Sequence, residues 1–146
     1  MRFEGNFVIN APREKVWQYV SDPRNGLEYV PNITKLDVIS EDKFTATVGV
    51  GIAGIKGTFN LNVEIVENIS PSHGKLKASG EGIKSVVNGE GQVDLFDAPD
   101  GKTLMKWVGD ANVGGLIAGV GQRLLRMVAD KLIKDGIGRL KSKLEK

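Results

Sequence analysis

Residues 43–65 read KFTATVGVGIAGIKGTFNLNVEI. Phe44, Ala46, Val48, Val50 and Ile52 fall on alternate positions, with Thr45 and Thr47 opposite. Phe59, Leu61, Val63 and Ile65 then alternate with Thr58, Asn60, Asn62 and Glu64. A period of two describes strands with one buried and one wet face. The glycine-rich stretch 51–57 between the two runs is the turn of an antiparallel hairpin. The same stretch holds Gly49-Val50-Gly51-Ile52-Ala53-Gly54, a GxGxxG match. A dinucleotide site needs that motif to open a helix. Here strand alternation resumes at Thr58, so the match is a coincidence of a glycine-rich chain.

The alternation extends in both directions. Phe3, Gly5, Phe7 and Ile9 mark a first strand. Asn10-Ala11-Pro12 opens a short helix with Val16, Trp17 and Val20 on its apolar side. Asp22-Pro23 starts another, with Leu27 and Val30, which Pro31 ends. Leu36 and Val38 mark the second strand. Leu76, Ala78 and Gly80 mark the fifth, Val87, Val93 and Leu95 the sixth, and Thr103, Met105 and Trp107 the seventh. From 114 to about 144 the pattern is helical. The expected architecture is α+β. A seven-stranded curved antiparallel sheet wraps a long C-terminal helix, with two short helices after strand one, in a single domain over residues 1–146.

The turns sort by chemistry. Those near 40–42, 70–74 and 97–101 are polar and share one end of a meander. Those at 51–57 and 82–86, with the start of the last segment at 113–119, are apolar and glycine-rich and share the other. Apolar tips in water mark a cavity mouth or a contact surface. A strongly curved sheet is not filled by one helix, so an apolar cavity is expected between them. Its candidate lining is Tyr29, Val48, Val50, Phe59, Leu61, Val87, Met105, Trp107, Ile117, Val120 and Leu124.

Reactive chemistry is sparse. There is no cysteine, and His73, the one histidine, lies in a polar turn. Neither a metal centre nor a Ser/His/Asp arrangement can be assembled. Glu81, Glu90 and Asp94 fall on wet strand faces, where they solvate. No catalytic residue, metal or cofactor is expected. Residues 122–146 carry eight basic and three acidic residues, a charge of +5 that leaves −3 on residues 1–121. Basic residues without interleaved aromatics or a finger motif do not describe a nucleic-acid site. No signal peptide or membrane span of about 20 apolar residues is expected, so the cytoplasm is the expected location. In the last helix Ile117, Val120, Leu124 and Val128 form one stripe, while Ile133, Ile137, Leu140 and Leu144 form another. Gly136 and Gly138 allow a bend between them. The second stripe either packs on the first helix and strand or makes residues 133–146 a weak peripheral membrane contact.

The order strand, two short helices, six strands and long helix resembles the START-like (helix-grip, SRPBCC) superfamily. Within it, FVINAPREKVWQYVSDP (7–23), VGIAGIKGTFNLNVEI (50–65) and GDANVGGLIAGVGQRLL (109–125) resemble the family of the carbon monoxide dehydrogenase G subunit, the last stretch being the most specific. That resemblance implies a hydrophobic cavity without fixed catalytic residues. It also implies an accessory role beside a molybdenum hydroxylase of the carbon monoxide dehydrogenase type, in maturation, membrane recruitment or quinone handling. Relatives with a C-terminal membrane anchor exist, and none is expected in this chain. Three functions follow as expectations: a non-catalytic binder or carrier of a quinone, isoprenoid or lipid; an interaction module using the apolar rim; and a cyclase- or hydrolase-type enzyme. The lack of polar reacting groups at inward positions favours the first over the third.

Overall fold

The computed structural model describes residues 1–146. The chain runs β1 (Arg2–Ile9), α1 (Arg13–Val20), a 3-10 turn (Pro23–Asn25), α2 (Gly26–Tyr29), β2 (Ile33–Ser40), β3 (Lys43–Ile52), β4 (Ile55–Ile69), β5 (His73–Gly82) and β6 (Ser85–Ala98). A 3-10 turn (Pro99–Gly101), β7 (Lys102–Gly115), another 3-10 turn (Ile117–Val120) and α3 (Gln122–Leu144) complete it. The seven strands form one antiparallel sheet in the order β1-β7-β6-β5-β4-β3-β2. β2 to β7 form a continuous meander, and β1 closes onto β7 from the opposite end of the sequence. This is the expected α+β helix-grip architecture.

Local chemistry explains the elements. Pro12 sits before α1 with φ −68°, the value its ring enforces. The Asp22 carboxylate accepts from the Arg24 N–H at 3.0 Å and opens the turn at Pro23. Ala53 and Gly54 join β3 to β4 with φ of 51° and 82°. Positive φ at both central residues matches the right-handed twist of the flanking strands. Gly80 and Gly89 lie where neighbouring strands crowd. A Cβ at either would stand 2.3 Å from a carbonyl oxygen of the next strand, so only glycine permits that approach.

The alternation predicted from sequence is the observed phase. Cross-strand pairing places Val48 beside Phe59, Ala46 beside Leu61, and Leu95 beside Met105. These rows face α3. The opposite face carries polar rows such as Thr45, Asn62, Ser79, Asn88 and Asn112.

Two departures concern the C-terminal segment. β7 runs on to Gly115 and a separate 3-10 turn follows, so α3 starts at Gln122 rather than near 114. Gly115 and Gly121 have φ of 86° and 94°, outside any right-handed helix, which is why the helix cannot begin earlier. Gly136 and Gly138 do not divide α3, which is continuous to Leu144. Leu140 and Leu144 are buried with Ile9, Val16, Trp17, Leu95 and Met105. The last two residues of the second apolar stripe, Leu140 and Leu144, are therefore covered by the chain's own first strand and first helix.

Candidate ligand-binding interior

The apolar residues on the concave side form two clusters, not one. The base cluster joins Ile9, Ala11, Val16, Trp17, Leu95, Met105, Leu140 and Leu144, with Tyr19 and Tyr29 packed against it. The rim cluster joins Ile52, Phe59 and Ile117, with Val50, Ile55, Leu61, Ile83, Val87, Val113, Val120, Leu124, Leu125 and Val128 around them. Helix α3, about 35 Å long at 1.5 Å per residue, reaches from the rim cluster to the base cluster. Its nearest backbone neighbours are α1, α2 and the 117–120 turn rather than any strand.

Between the clusters the floor of the sheet is made of small residues. Ala78, Gly89 and Ala111 are paired across β5, β6 and β7, and Leu76, Gly91 and Gly109 form the next row. A Cβ built on Gly91 would meet only the Val108 carbonyl oxygen, at 3.9 Å, and one on Gly109 only the Glu90 oxygen, at 3.7 Å. No side chain from α3 reaches either position.

Of the predicted lining residues, Phe59, Met105 and Ile117 are buried, and Tyr29, Val48, Val50, Leu61, Val87, Trp107, Val120 and Leu124 are half-buried. Val50, Phe59, Leu61, Val87, Ile117, Val120 and Leu124 come together at the rim. Met105 and Tyr29 belong to the base, and Val48 and Trp107 to neither cluster. Trp107 lies over Gly5, where a Cβ would stand 2.9 Å from its ring, and its buried indole N–H has no hydrogen-bond partner. Two surface depressions, of about 480 and 830 Å³, lie on the other, polar side of the sheet and include none of the predicted residues.

Sequence reasoning missed the inward glycines Gly91 and Gly109 as floor. Their phase, Gly91 in step with Val87, Val93 and Leu95 on β6 and Gly109 with Met105 and Trp107 on β7, was the signal. It also missed Ser85. This buried hydroxyl donates to the Ile83 carbonyl at 3.0 Å and accepts from the Ile117 N–H at 2.9 Å.

The hydroxyls of Thr103 and Tyr19 are committed to the fold. Thr103 is fully buried and its hydroxyl donates to the Ala11 carbonyl at 2.7 Å. Burial raises the Tyr29 phenol above its ordinary range. Tyr19 is pushed up to about 12 by burial and by Glu28, whose carboxylate accepts its hydroxyl at 3.1 Å. Glu28 also pairs with Lys143 of α3 at 3.2 Å. No helix is long and apolar enough to cross a membrane.

The model of the CoxG family, named for the G subunit of carbon monoxide dehydrogenase, matches residues 5–145. The chain belongs to that family. A conserved protein from Geobacillus kaustophilus is 33% identical to this CoxG-family chain over 99% of it and 95% of its own length, with a TM-score of 0.91. A START superfamily protein from Mycobacterium smegmatis gives a TM-score of 0.76 at 12% identity, covering 99% of this chain and 97% of its own. The ZhuI aromatase/cyclase from Streptomyces sp. R1128 gives 0.73 at 13% identity, covering 99% and 93%. The last two likenesses establish the START-like fold alone. Curated protein sequences give no match. The CoxG-family fold thus sets an apolar concave face, floored by glycine and alanine, beneath a long helix.

Proposed function

We propose that this protein binds an apolar small molecule, without catalysing its conversion, in the space between the concave face and α3. The observation that carries this reading is the bare floor at Gly91 and Gly109, where no atom of the helix lies within 4 Å of a Cβ position. Two further facts support it. The inward residues Val48, Leu61, Val87 and Trp107 are only half-buried despite facing the helix. The accessible surface is 8536 Å², against about 7,300 Å² for a folded chain of this mass. Inner walls reached by solvent contribute surface of this kind. The lining is apolar, as ligand sites are, and the hydroxyls of Thr103 and Ser85 already have partners. That favours binding over acid–base chemistry.

The finer part of the reading is that the ligand is a quinone, isoprenoid or lipid. Support for an accessory role beside a carbon monoxide dehydrogenase-type enzyme comes from the family's name. A second reading, contact with a partner protein through the rim, draws on Val86 and Leu116, which are 53% and 48% exposed there.

Native mass spectrometry with extraction of the purified protein, followed by titration with N-phenyl-1-naphthylamine, tests the first reading. Gly109→Leu should fill the space and abolish probe binding while the fold survives. Unchanged affinity in that variant, or no binding by the wild type, would refute the interior site.

A further inference from the structure

Residues 116–120 are attached unlike any other part of the rim. They leave the sheet at Gly115 and enter α3 at Gly121, and both glycines have positive φ. Each can rotate where an L-residue with a side chain would be held. Between them, the single turn Ile117–Val120 buries Ile117 against Ile52 and Phe59, with Val120 half-buried beside it. Leu116 and Gly119 face outward. Leu116 is exposed, and no atom lies within 4 Å of where a Gly119 Cβ would be.

Two hydrogen bonds tie this strap to the sheet, and both end on one hairpin. The Leu116 N–H donates to the Lys84 carbonyl at 3.0 Å, and the Ile117 N–H to the Ser85 hydroxyl at 2.9 Å. The hairpin tip is itself under strain. Ile83 and Lys84 have φ of 54° and 52°, and a β-branched residue in that region is a genuine outlier. Ile83 is held there by packing on Gly57, where a Cβ would come within 2.7 Å of it, and by the Ser85 hydroxyl on its carbonyl. Strained segments of this kind gather at switches and ligand clamps.

We propose that residues 116–120 are a hinged lid over the interior, latched shut by the Ser85 hydroxyl. Gly115 and Gly121 are the hinges, Ile117 is the plug, and the Ile83–Lys84 tip is the catch. Opening breaks the two hydrogen bonds and lifts Ile117 out of the rim cluster, so an apolar ligand enters and leaves there. The proposal rests on the interior-binding reading and adds its regulation.

The chain has no cysteine, so Lys84→Cys with Leu116→Cys creates its only thiol pair. These positions extend the Ser85–Gly115 pairing by one step. Stopped-flow binding of N-phenyl-1-naphthylamine is the readout. Ser85→Ala should speed association and dissociation together by about fivefold, the equivalent of one lost neutral hydrogen bond. The oxidised double variant should slow both, and reduction should restore them. Unchanged rates in the oxidised protein, with the disulfide verified by mass, would overturn the lid and leave the binding site intact. If the wild type binds no probe, the binding reading fails and amide hydrogen exchange judges the lid alone. Residues 116–120 should exchange faster than β7 and α3, and faster still in Ser85→Ala. Equal exchange in the variant and the wild type overturns it.

Discussion

His73 shows how one side chain couples the fold to pH. Its Nδ1 lies 2.6 Å from Asp94 and its Nε2 2.8 Å from Glu67, at the polar end of β4, β5 and β6. Hydrogen bonds to Asp94 and then Glu67 raise the imidazole above its ordinary range. Burial alone would raise Asp94, but its bonds with His73 and Gln92 outweigh this and hold it below the usual carboxylate range. A raised imidazole stabilises the fold fully below its unfolded value of about 6.5. That contribution fades as pH climbs through the folded value. A lowered carboxylate contributes above about 3.9 and fades as pH falls through its folded value. His73→Gln should therefore cost most stability near pH 5–6 and progressively less toward pH 9, in denaturant melts at a series of pH values. A cost independent of pH would mean that the pair carries no charge. Trp107 offers a second case. Gly5→Ala places a Cβ 2.9 Å from its ring. We expect a loss of about 1–3 kcal/mol from overpacking, with a shift in tryptophan fluorescence. In sequence His73 read as a bare turn residue, because the bulge in β4 that brings Glu67 to its ring leaves no mark in the alternation.

At the scale of elements, α3 is anchored at its end. Leu140 and Leu144 are core, the Lys15 ammonium donates to the Leu144 carbonyl at 3.1 Å, and the Glu145 carboxylate accepts from the Asn10 N–H at 2.9 Å. Leu140→Ala should cost about 2–5 kcal/mol, as buried leucines do. Gly138→Ala should instead stabilise by about 1 kcal/mol, the propensity difference inside a helix, since nothing lies within 4 Å of its Cβ position. Thermal melts of the two variants must move in opposite directions if the last turns are core. The strands were legible throughout, because a half-buried sheet imposes its period of two residue by residue. The start of α3 was not. Gly114 to Gly121 carries apolar residues at spacings that suit either a helix or a strand followed by a turn, and only the positive φ at Gly115 and Gly121 decides between them.

For the whole molecule, the sequence predicted a hollow, and its rim residues assemble as one cluster. The floor was less visible, because a glycine in a strand reads equally as a bend or as absent bulk. The proposed interior site has a thermodynamic signature. At 100 times its dissociation constant a ligand adds about 2.7 kcal/mol to stability. For a domain of this size that raises Tm by about 5–10 °C. Probe-saturated wild type should show such a rise in calorimetry, and Gly109→Leu should show none. A rise of equal size in both would place the probe outside the interior.

The pairing of β1 with β7 bears on how the chain is made. Arg2 faces Asp110 and Ile9 faces Thr103, partners more than 90 residues apart, whereas β2 to β7 are each neighbour to the next. On the ribosome β1 emerges first and finds no mate until β7 is out. At about 5–20 residues per second that is a wait of several seconds with Phe3, Phe7 and Ile9 uncovered. The meander can zip in the meantime, but the base cluster, which needs Ile9 together with Leu140, closes only once α3 has followed β7 out. Moving β1 to follow β7 would make every strand pair local and let the sheet complete itself before α3 arrives.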